Sequence, residues 1–246
     1  MRRSLDLISF TVGVFALWQV LSLILGAGVL SPPLIVLLKM SELLQNPSMR
    51  EDIKQTLLAT FSAFAITTVL GLAVGLVLGG NRRAGNIFEP ILVATYSIPK
   101  IILYPVFLLI FGLTLSARVA FGVVHGIFPI ILFSLNSIRN IPPVYLRTAR
   151  SLQMSRWQRL KSIIFPAALP GIMNGVRIGT AVTLLGVVIS EMFAARSGVG
   201  FRLMRAIELN DVPAIMALAL LFTIFTITVN ALLVYVSLKL TGVRNS

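Results

Sequence analysis

Six runs of mainly apolar residues alternate with shorter polar stretches: Leu7–Val29, Leu57–Gly79, Ile91–Leu113, Val119–Ile138, Ile172–Ala195 and Ala214–Leu238. Each is about the length a helix needs to cross a hydrocarbon core, ~20 residues. None shows the strict alternation of a barrel strand. In lipid a lone segment satisfies its backbone only as a helix. The pattern therefore predicts an all-α polytopic membrane protein of about six transmembrane helices, with residues 1–246 as a single domain. Lys100 and Pro105 interrupt the third run, and Arg177 and Glu191 lie in the fifth. Ser31-Pro32-Pro33 ends the first helix, because prolines cannot continue it. Residues 34–45 have amphipathic spacing suited to the outer membrane surface. Residues 196–213 form a second outer segment, with Gly198-Val199-Gly200 as its turn. The first run carries no evident small-residue cleavage signal, so it reads as a retained helix.

Composition sharpens this picture. The 246 residues are 57% hydrophobic and only 12% charged, against about a quarter charged in soluble domains. A net charge of +13 would suit a nucleic-acid partner. The basic residues instead cluster in loops beside apolar runs, the positive-inside signature, so no nucleic acid is expected. With a cytoplasmic N-terminus, the inner segments hold Arg2, Arg3, Arg82, Arg83, Arg139, Arg147, Arg150, Arg156, Arg159, Lys161, Lys239 and Arg244. The outer segments hold Lys39, Arg50, Lys54, Arg118, Arg196, Arg202 and Arg205, together with most of the acids. Both termini are therefore expected in the cytoplasm. Cysteine is absent and His125 is the single histidine, so no metal or cofactor is predicted. A nucleotide-binding Gly-Lys-Ser/Thr signature is missing, and no catalytic constellation can be assembled.

Between the fourth and fifth runs lies RTARSLQMSRWQRLKSIIFPAALP, residues 147–170, with five basic residues and no acid. A basic, partly amphipathic segment between spans is a surface docking element. Its layout resembles the EAA loop of the permease subunits of type I ABC importers. The family pattern is Glu-Ala-Ala, three residues, Gly, nine residues, Ile-x-Leu-Pro. Its slots fall on Arg147-Thr148-Ala149, Gln153, Ile163 and Phe165-Pro166, with Arg150 and Met154 inside the same element. Arg147 replaces the Glu and Gln153 the Gly, and Gln adopts a left-handed conformation at greater cost. The resemblance covers residues 30–240. It implies a MetI-like fold and a membrane subunit of an ATP-driven importer in a prokaryotic inner membrane. The implied partners are ABC ATPase subunits on residues 147–170, an extracytoplasmic substrate-binding protein, a second permease subunit (a homodimer or pseudo-dimer) and membrane lipid. ATP hydrolysis would belong to the separate subunit, so this chain is not an enzyme. Glu191-Met192 followed by Gly198-Val199-Gly200, the segment Ile98–Leu113, and Ser31-Pro32-Pro33 resemble the nitrate, sulfonate and taurine group. That implies a small solute, often anionic; relatives also carry heterocyclic vitamin precursors. A secondary transporter without an ATPase, or a membrane-embedded enzyme, would need ionisable residues in several helices or at one depth.

Other residues carry two readings each. Gly71, Gly75 and Gly79, like Gly171, Gly175 and Gly179, make smooth stripes for close helix approach, within one subunit or between two. Glu191 is either a pathway residue or an interface residue holding structure. Lys100 either faces a water-filled pathway or reaches the interface. Arg177 can snorkel to the cytoplasmic surface; fourteen residues from Glu191, roughly 21 Å along a helix, it cannot pair with it. His125 reads as a packing residue.

Overall fold

The computed structural model describes residues 2–241, and every element in them is helical. Arg244 lies outside the described residues. The elements are α1 (Arg2–Leu25), α2 (Pro33–Gln45), α3 (Pro47–Gly80), α4 (Arg82–Ser97), α5 (Tyr104–Phe111), α6 (Leu115–Arg139), α7 (Pro143–Ser151), α8 (Arg156–Arg159), α9 (Phe165–Ala194), α10 (Val199–Glu208) and α11 (Val212–Thr241). Among the described residues four helices are long and apolar enough to span a membrane: Pro47–Gly80, Leu115–Arg139, Arg156–Phe193 and Val212–Leu240. A bent pair, Arg82–Ser97 with Lys100–Phe111, makes up to a fifth, and Ser9–Leu25 is a shorter apolar helix.

The expected third span is not one continuous helix over Ile91–Leu113. It is broken, with an 83° bend between the two arms. The cause is local. Ile98 precedes Pro99 and is extended, at φ −67° and ψ 131°, because the proline ring excludes the helical conformation of the residue before it. One 3₁₀ turn, Lys100–Leu103, then starts the second arm. The expected fifth span also differs, being joined to the basic segment before it. Arg156–Phe193 runs as a single apolar helix with one π turn at Leu160–Ile164. Pro166 has no N–H for a normal bond to Ser162, and inserting a residue relieves its clash with that carbonyl. The Phe165 N–H accordingly donates to the Leu160 carbonyl.

The polar segments around the first two spans are ordered too. Helix α3 starts ten residues before its apolar run, with Asn46 accepting the Ser48 N–H at 3.0 Å and Pro47 in its first turn. Helix α2 rests against the start of α11. Val36 is fully buried, and the Ser31 N–H points at Met216 Sδ, 3.2 Å away.

Helix α6 is the axis of the bundle, with α3 on one side and α9 on the other. A Cβ at Gly71, Gly75 or Gly79 would fall within 2.6–3.0 Å of Ile130, Ser134 or Ile138 of α6. A Cβ at Gly171, Gly175 or Gly179 would fall within 2.1–2.5 Å of Ser137, Phe133 or Ile130. Both stripes therefore receive α6 within one chain. Ile130, fully buried, is wedged between them.

Arginines mark both ends of α6. Near its start Arg118 pairs with Glu191. At its end Arg139 pairs with Glu89 at 2.6 Å and donates to Asn86 Oδ1 at 2.7 Å. The two arginines are 21 residues apart, about 31 Å along a helix, close to a hydrocarbon core of ~30 Å. The bundle thus has a basic end, with Arg82, Arg139 and α7–α8, and an opposite end with Asp52, Arg118, Glu191 and α10.

Candidate functional site

The basic end displays the segment expected to dock. Helix α7 closes with a left-handed residue, Gln153 at φ +50°. The Gln153 N–H donates to the Arg150 carbonyl and the Met154 N–H to the Ala149 carbonyl, both at 3.0 Å. This 5→2, 6→1 pair is the Schellman cap. The bend for which the family uses Gly is therefore formed here by Gln, against a left-handed strain of about 1–2 kcal/mol. Gln153→Gly should accordingly raise stability by about 1 kcal/mol, read as a higher thermal midpoint of the purified chain. An unchanged or lower midpoint would contradict the strain. Ser155 then starts α8 with a reciprocal capping box. Its hydroxyl accepts the Gln158 N–H at 3.2 Å, and the Gln158 side chain accepts the Ser155 N–H at 2.9 Å. Both turns of this element are thus hydrogen-bonded from within.

The residues divide by exposure. Arg147, Thr148, Arg150, Gln153 and Pro166 are exposed, while Met154 and Ile163 are half-buried. Ala149 is buried, at 1% exposure, and holds α7 to the bundle. Thr148 and Arg150 bond back to the carbonyls of Val144 and Leu146 on their own helix. Large apolar side chains stand among the charges: Leu152 is 68% and Trp157 70% exposed. Behind Trp157 runs a groove of about 500 Å³ between the end of α3 and the start of α9, floored by Leu76, Ile138, Leu160 and Phe165. The docking potential of Leu152 and Trp157 is invisible in sequence, where each is one more apolar residue.

At the opposite end Glu191 is fully buried. Its carboxylate accepts the Thr56 hydroxyl at 2.8 Å, the Gly200 N–H at 3.0 Å and an Arg118 Nη at 3.3 Å. Thr56 in turn accepts the Val199 N–H at 2.8 Å. One helical turn away, Asp52 accepts the Gly198 N–H at 2.7 Å and the Arg202 Nε. Gly198 has φ +111°, and a Cβ there would lie 2.3 Å from the Glu191 carboxyl carbon. Glu191 and Gly198 thus belong together for one reason: the carboxylate occupies the space a side chain would take. The spacing Asp52–Thr56, four residues on one face of α3, was the available sequence signal for the partners. Arg118 gave none, since nothing in a single chain links it to a carboxylate 73 positions on.

Lys100 sits at the break between α4 and α5. Its ammonium donates to the Tyr96 carbonyl at 2.8 Å and stands 4.4 Å from the centre of the Tyr96 ring and 5.3 Å from that of Phe128. A carbonyl and two ring faces therefore hold the charge. The structure does not bring Lys100 and Glu191 together. His125 packs on Phe121, with ring centroids 4.4 Å apart, and its Nδ1 lies 2.9 Å from the Phe121 carbonyl oxygen. No group of three or more potential metal-binding side chains occurs among the described residues.

The chain is thus an all-helical membrane bundle with a capped basic element at one end. Residues 68–240 match the family described as binding-protein-dependent transport system inner membrane component. The chain belongs to this family and is a permease subunit of the ABC importer type. It is 26% identical to the protein assigned as aliphatic sulfonates transport permease SsuC of Bacillus subtilis, over 95% of this chain and 85% of that one. It is 27% identical to the nitrate import permease NrtB of Synechococcus elongatus, over 76% and 70%. Identity to the formylaminopyrimidine transport permease ThiX of Halalkalibacterium halodurans is 25%, over 87% and 86%. The fold matches the inward-facing MetNI methionine ABC transporter, with a TM-score of 0.69 at 21% identity, covering 78% of this chain and 96% of that one.

Proposed function

We propose that two such permease subunits form the membrane half of an ATP-driven importer, with one ABC ATPase docked on α7–α8 of each. A binding protein would deliver a small solute to the opposite end, and closure of the ATPases would rock the bundles between inward- and outward-facing states. The observation that carries this is the self-capped basic element at one end, from which Leu152 and Trp157 project among arginines. An exposed apolar anchor inside a charged rim is what a partner surface needs. The solute is a small molecule such as a sulfonate, nitrate or a vitamin precursor, the cargoes for which the relatives above are named. On this reading the basic end is cytoplasmic and both termini lie inside, in keeping with the excess of Lys and Arg in the inner segments.

Ala149 is buried, so changing it would confuse folding with docking. Leu152→Asp and Trp157→Asp leave the core intact. The tagged chain, extracted from its native membrane in mild detergent, should bring an ATPase with it. Both variants should lose that subunit without losing thermal stability. A single cysteine in this cysteine-free chain, Leu152→Cys, should react with a membrane-impermeant maleimide only in inside-out vesicles, when the chain is produced without the ATPase that would cover it. A stable wild-type chain that emerges alone, or labelling from the outside, would remove this reading and favour a transporter that works without an ATPase.

A further inference from the structure

We propose that the space between α9 and α11 around Arg177 is a binding site for a small oxyanion, on the basic half of the permeation route; the inference rests on the importer reading. The two arginines of α6 are matched: Arg118 has Glu191 and Arg139 has Glu89. Arg177 has no carboxylate partner among the described residues. Its Nε donates to Asn230 Oδ1 of α11 at 3.1 Å. Its Nη groups find no acceptor among those residues. The guanidinium therefore keeps its Nη donors available for an acceptor.

Arg177 borders two cavities. One, of about 140 Å³, is walled mainly by Phe61, Phe64, Leu184 and Phe225. The other, of about 490 Å³ and more open, is shared with Asn174, Thr226 and Asn230. An unpaired guanidinium beside a cavity within a membrane span is costly unless water or a ligand completes it. Its planar fork suits the two oxygens of a nitrate, sulfonate or carboxylate. The flanking amides of Asn174 and Asn230 can each donate to such a group. Thr226 and Asn174 place further polar atoms around the same space, while the phenylalanines exclude water from one side.

Depth favours a free solute over a lipid headgroup. Gly175, two residues before Arg177, packs against Phe133, which stands six residues before Arg139, about 9 Å along α6. Asn230 lies nine residues before Lys239, about 13 Å along α11. Both helices thus set the pair inside the apolar layer rather than at its edge. An arginine that merely snorkelled would direct its donors to the interface; here Nε is turned across to α11 instead.

The full chain in neutral phosphatidylcholine nanodiscs can be tested with trifluoromethanesulfonate, whose fluorine resonance broadens on weak binding, and with nitrate as competitor. Wild type should broaden the line, and nitrate should reverse it. Arg177→Gln should weaken binding about tenfold or more, the loss of a charge-assisted contact. Arg177→Lys should retain part of it. Asn174→Leu, at an exposed position with no internal bond to break, should weaken binding without changing thermal stability. Absence of nitrate-sensitive broadening in the wild type, or binding by Arg177→Gln and Asn174→Leu as tight as that of wild type, overturns the proposal. So does a phosphatidylglycerol molecule that native mass spectrometry finds on wild type and not on Arg177→Gln, with no Arg177-dependent broadening in phosphatidylcholine. Co-purification of the ATPase, scored on the same variants, separates this result from the importer reading. If the ATPase stays and the anion does not bind, only the site is lost.

Discussion

Arg118→Leu is expected to destabilise the chain by about 3–5 kcal/mol, because it leaves the Glu191 carboxylate buried without its counter-charge. Arg118 is 9% exposed and Glu191 fully buried, so water cannot take over the missing role cheaply. The loss should be expressed at the end of the bundle away from α7. The carboxylate also receives Thr56 and Gly200, and through Thr56 it holds Val199. The 195–200 turn should therefore loosen and become accessible to protease. Adding Glu191→Gln to Arg118→Leu removes the stranded charge while keeping an oxygen for Thr56. The double variant should be more stable than Arg118→Leu alone. Thermal unfolding in detergent reads both effects. A single variant as stable as wild type, or a double variant no better than the single, would show that the pair is incidental.

Gly75→Val should separate α3 from α6 and cost about 2–3 kcal/mol. A Cβ at Gly75 would sit 2.6 Å from Ser134 Cβ and 2.8 Å from the Ile131 carbonyl oxygen. The oxygen is backbone in the central helix and cannot swing away. Gly80 provides the control, five residues further along the same helix, where an added Cβ meets nothing within 4 Å. Gly80→Ala should be neutral or slightly stabilising, since Gly is a poor helix residue. The comparison is made by the amount of folded chain that size exclusion recovers and by its thermal midpoint. Equal behaviour of the two variants would mean that α3 and α6 are not pressed together at Gly75.

The two experiments address different contributions to the same bundle. Small residues let α3 and α9 approach α6 closely, which in lipid must substitute for hydrophobic driving force. The Asp52–Thr56–Glu191–Arg118 network fixes the 195–200 turn to the helix ends. If the importer reading holds, this network stiffens the end where a binding protein would dock, opposite the segment that meets the ATPase. Leverage between the ends then runs through α9, since its helix reaches from Arg156 beside the docking surface to Glu191 in the network.

Much of this architecture follows from local composition. Long apolar runs flanked by basic residues locate most of the spans, because hydrocarbon admits few charges and no unpaired backbone. Prolines at 99 and 166 mark a break and a π turn, because a proline lacks the N–H and crowds the residue before it. The first helix does not stop at Ser31-Pro32-Pro33 as expected: α1 already ends at Leu25, where Gly26 takes φ +82°, and Pro33 starts α2 instead. The basic segment 147–170 is legible for the same reason: its charge and its spacing are properties of consecutive residues. What only the tertiary structure decided is pairing. Whether a glycine stripe meets its own chain, which helix an intramembrane charge faces, and whether Gln153 can form the bend of a glycine depend on residues tens of positions away or on a cap assembled by several carbonyls. Glu191 was visible as a buried charge, but its partners at 56, 118 and 200 come together only because α6 lies between α3 and α9. Arg177 was visible as a basic residue in a span; that it meets Asn230 across an open cavity is a fact of helix packing, and one chain's hydrophobic pattern holds no record of it.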